Sequence, residues 1–110
     1  MTLSDLAKEK CAAGGNAKAL HETEIQKLLE LLPGWESEGL EIAKTFSFRN
    51  YHETMAFVNA VAWIAHREDH HPDMSVHYNR CEVAFSTHDA GGLTRNDFIC
   101  AAKLESLFLL

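Results

Sequence analysis

Apolar residues along the chain fall into runs whose period switches between that of a helix and that of a strand. Ile25, Leu28, Leu29 and Leu32 recur at i, i+3, i+4 and i+7, which places them on one helical face. Thr23 and Gln26 have the spacing of a capping box, so this helix is predicted to start at Thr23, and Pro33-Gly34 stops it. Trp35-Glu36-Ser37 then reads as a short strand and Leu40 to Phe48 as a longer one. In the longer strand Leu40, Ile42, Phe46 and Phe48 lie on one side, with Glu41, Thr45 and Ser47 on the other. Lys44 breaks the alternation, as a residue at a sheet edge would, and Gly39 joins the two strands as a hairpin.

Asn50, with Glu53 three residues on, is predicted to cap the second helix. Met55 to Ala65 is apolar on almost every side, the pattern of a central helix packed on a sheet and against another element. Pro72 ends the segment and disfavours helical geometry at His71. Ser75 to Asn79 alternates around Val76 and Tyr78. From Cys81 to His88, Cys81, Val83, Phe85 and Thr87 share one face, and Glu82, Ala84, Ser86 and His88 the other. The short link at Asn79-Arg80 suggests a second hairpin. After the Gly91-Gly92 turn, Thr94 caps a last helix, with Asp97 near the positive end of its dipole. Cys100, Ala101, Leu104, Leu107 and Phe108 form the apolar stripe of that helix.

This order predicts an α+β domain: a four-stranded antiparallel sheet with three helices packed on one face. Residues 1–20 end in a small, polar stretch, Ala12-Ala13-Gly14-Gly15-Asn16, and are expected to form a loosely ordered extension with at most a short helix. Residues 21–110 form the single domain.

Composition narrows the partners. A chain of 110 residues builds one modest core, so a homodimer or homotetramer is a natural way to bury more surface. Sixteen acidic against ten basic residues give a net charge of −6, which argues against direct contact with nucleic acid. There is neither a run of about 18 apolar residues for a membrane span nor the apolar stretch of a signal peptide. Cys11, Cys81 and Cys100 are odd in number and far apart, the usage of a reduced cytoplasmic protein, with Cys81 and Cys100 expected in the core.

Chemistry concentrates in His66-Arg67-Glu68-Asp69-His70-His71-Pro72, where the long apolar segment runs out. Histidine, with an ordinary pKa of about 6.5, is both acid and base near neutrality. His70 and His71 can diverge at a helix end broken by Pro72, and His88 stands at a strand end, so all three occupy the usual addresses of a site. A metal site is the rival reading, because His66 and His70 are four apart. Against it, Arg67 stands where the glutamate of a His-Glu-x-x-His motif would be, and no cysteine is near in sequence. Nucleophile elbows and phosphate-binding glycine loops are missing, and Ser86-Thr87-His88 places neighbouring side chains on opposite strand faces. General acid–base catalysis without metal is the reading that remains.

The spacing His66-x-x-x-His70-His71-Pro72, then Tyr78, His88 and Asp97, closely resembles the signature of the pterin-4a-carbinolamine dehydratases. Pro33-Gly34-Trp35, Phe46-Ser47-Phe48 and Ser86-Thr87-His88 extend the resemblance over about residues 20 to 108. It implies the same α+β fold and the dehydration of a 4a-hydroxytetrahydropterin to the quinonoid dihydropterin, in recycling the cofactor of aromatic amino-acid hydroxylases. It also implies no resident cofactor, the pterin being substrate. His70, His71 and His88 would be the catalytic trio, with His71 and His88 transferring protons and His70 positioning substrate. Pro72, Thr87, Asp89 and Ala90 would join them around the pterin. Two departures stand out: His66 replaces a position often acidic in the family, which Glu68 or Asp69 would have to compensate, and Met74 replaces a frequent Trp. The alternatives are a protein-interaction module, since animal members act as dimerisation cofactors of a transcription factor, and an inactive pterin-binding protein. The stripe ending in Leu107-Phe108-Leu109-Leu110 would serve the interaction role or, more simply, self-association.

Overall fold

Short polar caps fix where most elements begin in the computed structural model, which describes residues 1–109. The element order is α1 (Leu3–Ala7), α2 (Glu22–Leu29), β1 (Glu36–Glu38), β2 (Glu41–Ser47), α3 (Tyr51–Glu68), β3 (Asp73–Val76), β4 (Arg80–Ser86) and α4 (Arg95–Ser106). Asn50 starts α3 as expected: its side chain accepts from the Glu53 amide at 2.9 Å. Helix α2 starts one residue before Thr23, because His21 is the cap and its amide donates to Glu24 Oε1 at 3.1 Å. It also ends at Leu29 rather than Leu32. The Leu31 and Leu32 amides bond three residues back, at 3.0 Å each, tightening the chain before Pro33 while Leu32 stays in the core.

The sheet is antiparallel with strand order β1-β2-β4-β3, so β2 and β4 are central. Their register sets Ile42 opposite Phe85 and Phe46 opposite Cys81, and these residues, with Val83, are buried while the alternate positions reach solvent. That one-sided burial is the α+β layering read from the periodicity: Phe57 and Val61 of α3 and Phe98, Ile99 and Leu104 of α4 complete the core on the covered face. Thr54 pins α3 to the β3–β4 turn, its hydroxyl lying 2.9 Å from the Asn50 carbonyl and 3.0 Å from that of Tyr78.

Several positions differ from the periodic reading, each for a tertiary reason. Lys44 lies on central β2, not on an edge strand. Three-residue β1 pairs only as far as Ala43, and Lys44 reaches past its end to donate to Glu105 at 2.9 Å and the Pro33 carbonyl at 3.0 Å. Leu40 falls in the turn and is exposed. Strand β3 is Asp73–Val76 rather than 75–79, because Val76 pairs with Cys81 and leaves His77 to Asn79 for the turn. Strand β4 ends at Ser86, so His88 lies in a 3-10 turn, His88–Ala90, and has no strand face. Helix α3 is not covered all round: Trp63 is 63% exposed.

The first twenty residues carry α1, capped by reciprocal bonds between Thr2 and Asp5. Leu6 is fully buried, and Lys103 of α4 donates to the Ala7 carbonyl at 2.7 Å. Arg95 makes two bonds to Glu9, at 2.8 and 2.7 Å. The Asn96 amide accepts from Ala12 N–H at 2.9 Å and donates to its carbonyl at 3.1 Å, like a strand partner. Cys81 and Cys100 are buried, as expected. Leu110 of the predicted apolar tail lies outside the described residues.

Candidate active site

Helix α3 stops in a Schellman arrangement: His70 N–H returns to the Ala65 carbonyl at 3.1 Å and Asp69 N–H to that of His66 at 3.4 Å. The stop needs a left-handed residue, and Asp69 supplies it with φ of 52°. This reversal carries the His70 ring into the core, where it stacks on Phe85 with centroids 5.8 Å apart and planes 9° from parallel.

His70 Nε2 lies 2.6 Å from Asp97 Oδ1. Asp97 is fully buried in the first turn of α4, where its other oxygen accepts from Thr94 N–H at 2.9 Å and from the Thr87 hydroxyl at 2.8 Å. Because Thr87 spends its proton on Asp97, the Thr94 hydroxyl, 2.9 Å away, donates to Thr87. An ionised carboxylate only accepts, so the pair suits the His70 tautomer that carries its proton on Nε2. Burial of that carboxylate is offset by the three donors and by the helix N-terminus.

A cavity of about 210 Å³ adjoins this network. Asp69 and His70 line it from the end of α3, and Thr87, Asp89, Ala90 and Asn96 from the β4–α4 connection and the start of α4. Ala12, Gly15 and Ala17 of the N-terminal arm form the remaining wall. A larger hollow of about 400 Å³ beside Lys27 and Arg95 has no histidine in its lining.

Of the residues expected at the site, His70, Thr87, Asp89 and Ala90 line this cavity; His71, Pro72 and His88 do not. His71 and His88 are exposed, His88 with Nε2 3.3 Å from Ser86 Oγ, and Pro72 is half-buried. His66 is exposed, its ring 6.4 Å from that of Trp63. Glu68 accepts from Cys11 N–H at 2.9 Å, so it holds the arm. Among the described residues no group of three His, Cys, Asp or Glu is placed to hold a metal ion. The sequence reading counts Asp97 in the family signature and places it near the positive end of the α4 dipole, without assigning it to the site. Asn96 and the arm residues left no local signal.

These features define a small α+β protein with a histidine–carboxylate site where two helix ends meet a central strand. The sequence profile of the pterin 4 alpha carbinolamine dehydratases matches residues 18–107, and the chain belongs to that family. A Chromobacterium violaceum relative bearing the name pterin-4-alpha-carbinolamine dehydratase is 62% identical over 104 residues, covering 94% of this chain and 96% of its own. One from Nitrosospira multiformis with the same name is 56% identical over 108 residues, covering 97% and 96%. The crystal structure of a transcriptional coactivator/pterin dehydratase from Brucella melitensis superposes with a TM-score of 0.79 at 30% identity, covering 82% of this chain and 98% of that one. A pterin dehydratase-like RuBisCO assembly factor of the α-carboxysome, 20% identical with a TM-score of 0.55 over 66% of this chain and 84% of its own, shares the fold.

Proposed function

We propose that the protein is a hydro-lyase that dehydrates a 4a-hydroxytetrahydropterin to the quinonoid dihydropterin and water. The observation that carries this reading is the pairing of half-buried His70, on the wall of a cavity, with fully buried Asp97, in a chain whose relatives bear the dehydratase name. In the reaction the C4a–O bond breaks, its electron pair leaves with the hydroxyl, and that oxygen takes a proton to depart as water. The N5 proton is lost as the N5=C4a bond forms. One imidazolium and one neutral imidazole supply and accept these protons, each transfer contributing about 10²–10⁴-fold.

His71 and His88, exposed to solvent, serve as the transfer pair because they re-equilibrate with bulk water between turnovers. His70, oriented by Asp97, positions the leaving hydroxyl. Thr87, Asp89 and Ala90 shape the pterin site with His70 on the cavity wall, and Pro72, outside that wall with His71 and His88, contributes to the pterin site from beside it. No metal is required, and the setting is cytoplasmic recycling of tetrahydropterin for aromatic amino-acid hydroxylation. Stopped-flow loss of 4a-hydroxytetrahydropterin absorbance tests the reading: a rate no faster with the protein than without it would overturn it.

The second reading concerns association. A groove of about 370 Å³ between α3 and the C-terminal turn is lined by Phe48, Ala56, Phe57, Ala60, Leu107 and Phe108, and Trp63 stands exposed on the same helix. Such apolar surface favours burial against another chain, and the occupant proposed here is a second copy, giving a homodimer or homotetramer. Light scattering on wild type and Phe108→Glu tests it, a monomeric wild type being the contrary result.

A further inference from the structure

Cys11 and Cys100 are 89 positions apart in sequence, yet their sulfurs lie 3.5 Å apart. The backbone on both sides is already held. Cys11 N–H is bonded to Glu68, and the adjoining Ala12 exchanges two bonds with the Asn96 side chain, one turn before Cys100 on α4. A disulfide bond is about 2.05 Å long, so closure from 3.5 Å asks for an approach of about 1.5 Å. Cys11 is half-buried and Cys100 fully buried.

We infer that Cys11 and Cys100 are an oxidation site: a dithiol that a peroxide converts to a disulfide, stapling the N-terminal arm onto α4. The entering sulfur is Cys11, the more accessible of the two. The Cys100 thiol, hydrogen-bonded with Cys11 and buried, is pushed far above its ordinary value and stays protonated until it acts. The Cys11 thiol gives up its proton and its sulfur attacks one oxygen of the peroxide; the O–O bond breaks, the departing hydroxide takes up that proton, and a sulfenic acid and one water form. The Cys100 sulfur then attacks the Cys11 sulfur and releases its proton, and the hydroxyl leaves as a second water. Two thiols lose two electrons in total and the peroxide gains them.

The staple sits one residue from Ala12, and Ala12, Gly15 and Ala17 are the arm's share of the cavity wall. In the reduced protein that wall is held by hydrogen bonds and can open locally; in the oxidised protein it is covalently closed. Cys81, buried in β4 with its thiol donating to the Glu82 carbonyl at 3.9 Å, is the internal control.

The test treats the full chain with hydrogen peroxide and follows intact mass, peptide mapping and tryptic cleavage at Lys8, Lys10 and Lys18. The expected result is a loss of about 2 Da, reversed by dithiothreitol, with the bridge mapped to Cys11–Cys100. Cleavage in the arm slows at least tenfold and Tm rises by about 5 °C. Cys11→Ser and Cys100→Ser each abolish both effects, and Cys81→Ser keeps them. A bridge between two chains, a sulfinic acid on Cys11 with Cys100 still a thiol, or an unchanged cleavage rate in the bridged protein would overturn the inference. None of these readouts uses a pterin, so the result is independent of the proposed activity.

Discussion

His70 has its ring 5.8 Å from Phe85 and its Nε2 2.6 Å from a carboxylate with no exposed surface, whereas His71, one residue on, is exposed to solvent. Two identical side chains at adjacent positions have been given opposite physical settings. The cause is local: left-handed Asp69 reverses the chain at the end of α3, and Pro72 holds the following backbone extended, so consecutive side chains diverge. One ring trades freedom for a defined tautomer and orientation; the other keeps contact with water. Acid–base chemistry profits from both, because a group that fixes geometry need not be the group that exchanges protons with solvent.

The largest expected effect comes from removing the anchor. Asp97→Ala leaves the Thr94 amide, the Thr87 hydroxyl and His70 without an acceptor, and a loss of about 3 kcal/mol in urea unfolding is expected. Turnover falls by more than about 100-fold, since His70 is no longer oriented. An Asp97→Ala protein of wild-type stability would show that the pair is not the anchor of the fixed half.

Next come the free histidines. His71→Ala and His88→Ala are each expected to slow turnover at least tenfold while changing stability by less than about 0.5 kcal/mol. A loss of stability comparable to that of Asp97→Ala would erase the contrast between the two settings.

A smaller effect tests whether the fixed half extends into the arm. The hydrogen bond from Arg95 holds the Glu9 carboxyl below its ordinary value of 4.5. A depressed acid contributes stability that is fully present above about 4.5 and is lost as pH falls through the lower folded value. Hydrogen exchange of the arm amides, corrected for intrinsic rates, is therefore expected to speed up below about pH 4 before the sheet amides change. Simultaneous loss of protection in both would show that the arm is not a separate unit. The smallest effect belongs to the turn itself: Asp69→Gly relieves the left-handed strain and is expected to raise stability by about 0.5–1 kcal/mol in thermal unfolding.

What the sequence revealed followed from range. Asn50 and Thr94 could be read as caps because their partners sit three residues away, and Ile42, Phe46, Val83 and Phe85 as core because strand period is local. Lys44 was misplaced because its setting depends on where β1 stops and on Glu105 far along the chain. His88 was put on a strand because alternation continues past Ser86, while pairing with β2 ends there. At the site, spacing singles out the histidines, whereas Pro72, Thr87, Asp89 and Ala90 rest on the family resemblance alone. The 27-position contact between His70 and Asp97 leaves no periodic trace, and the arm's apolar Leu3, Leu6 and Ala7 span too few residues to register one.

Asp97 caps α4 and anchors His70 with one carboxylate. The first turn of α4 therefore cannot fray without setting the ring loose, and the ring cannot be fully ordered before that turn has wound. Competence is thus cooperative with the last helix. On the proposed chemistry, a chain whose C-terminal segment has not yet docked would hold its histidines and still lack an assembled centre. Specific activity in a damaged or mutated sample would then measure the fraction of molecules with α4 seated.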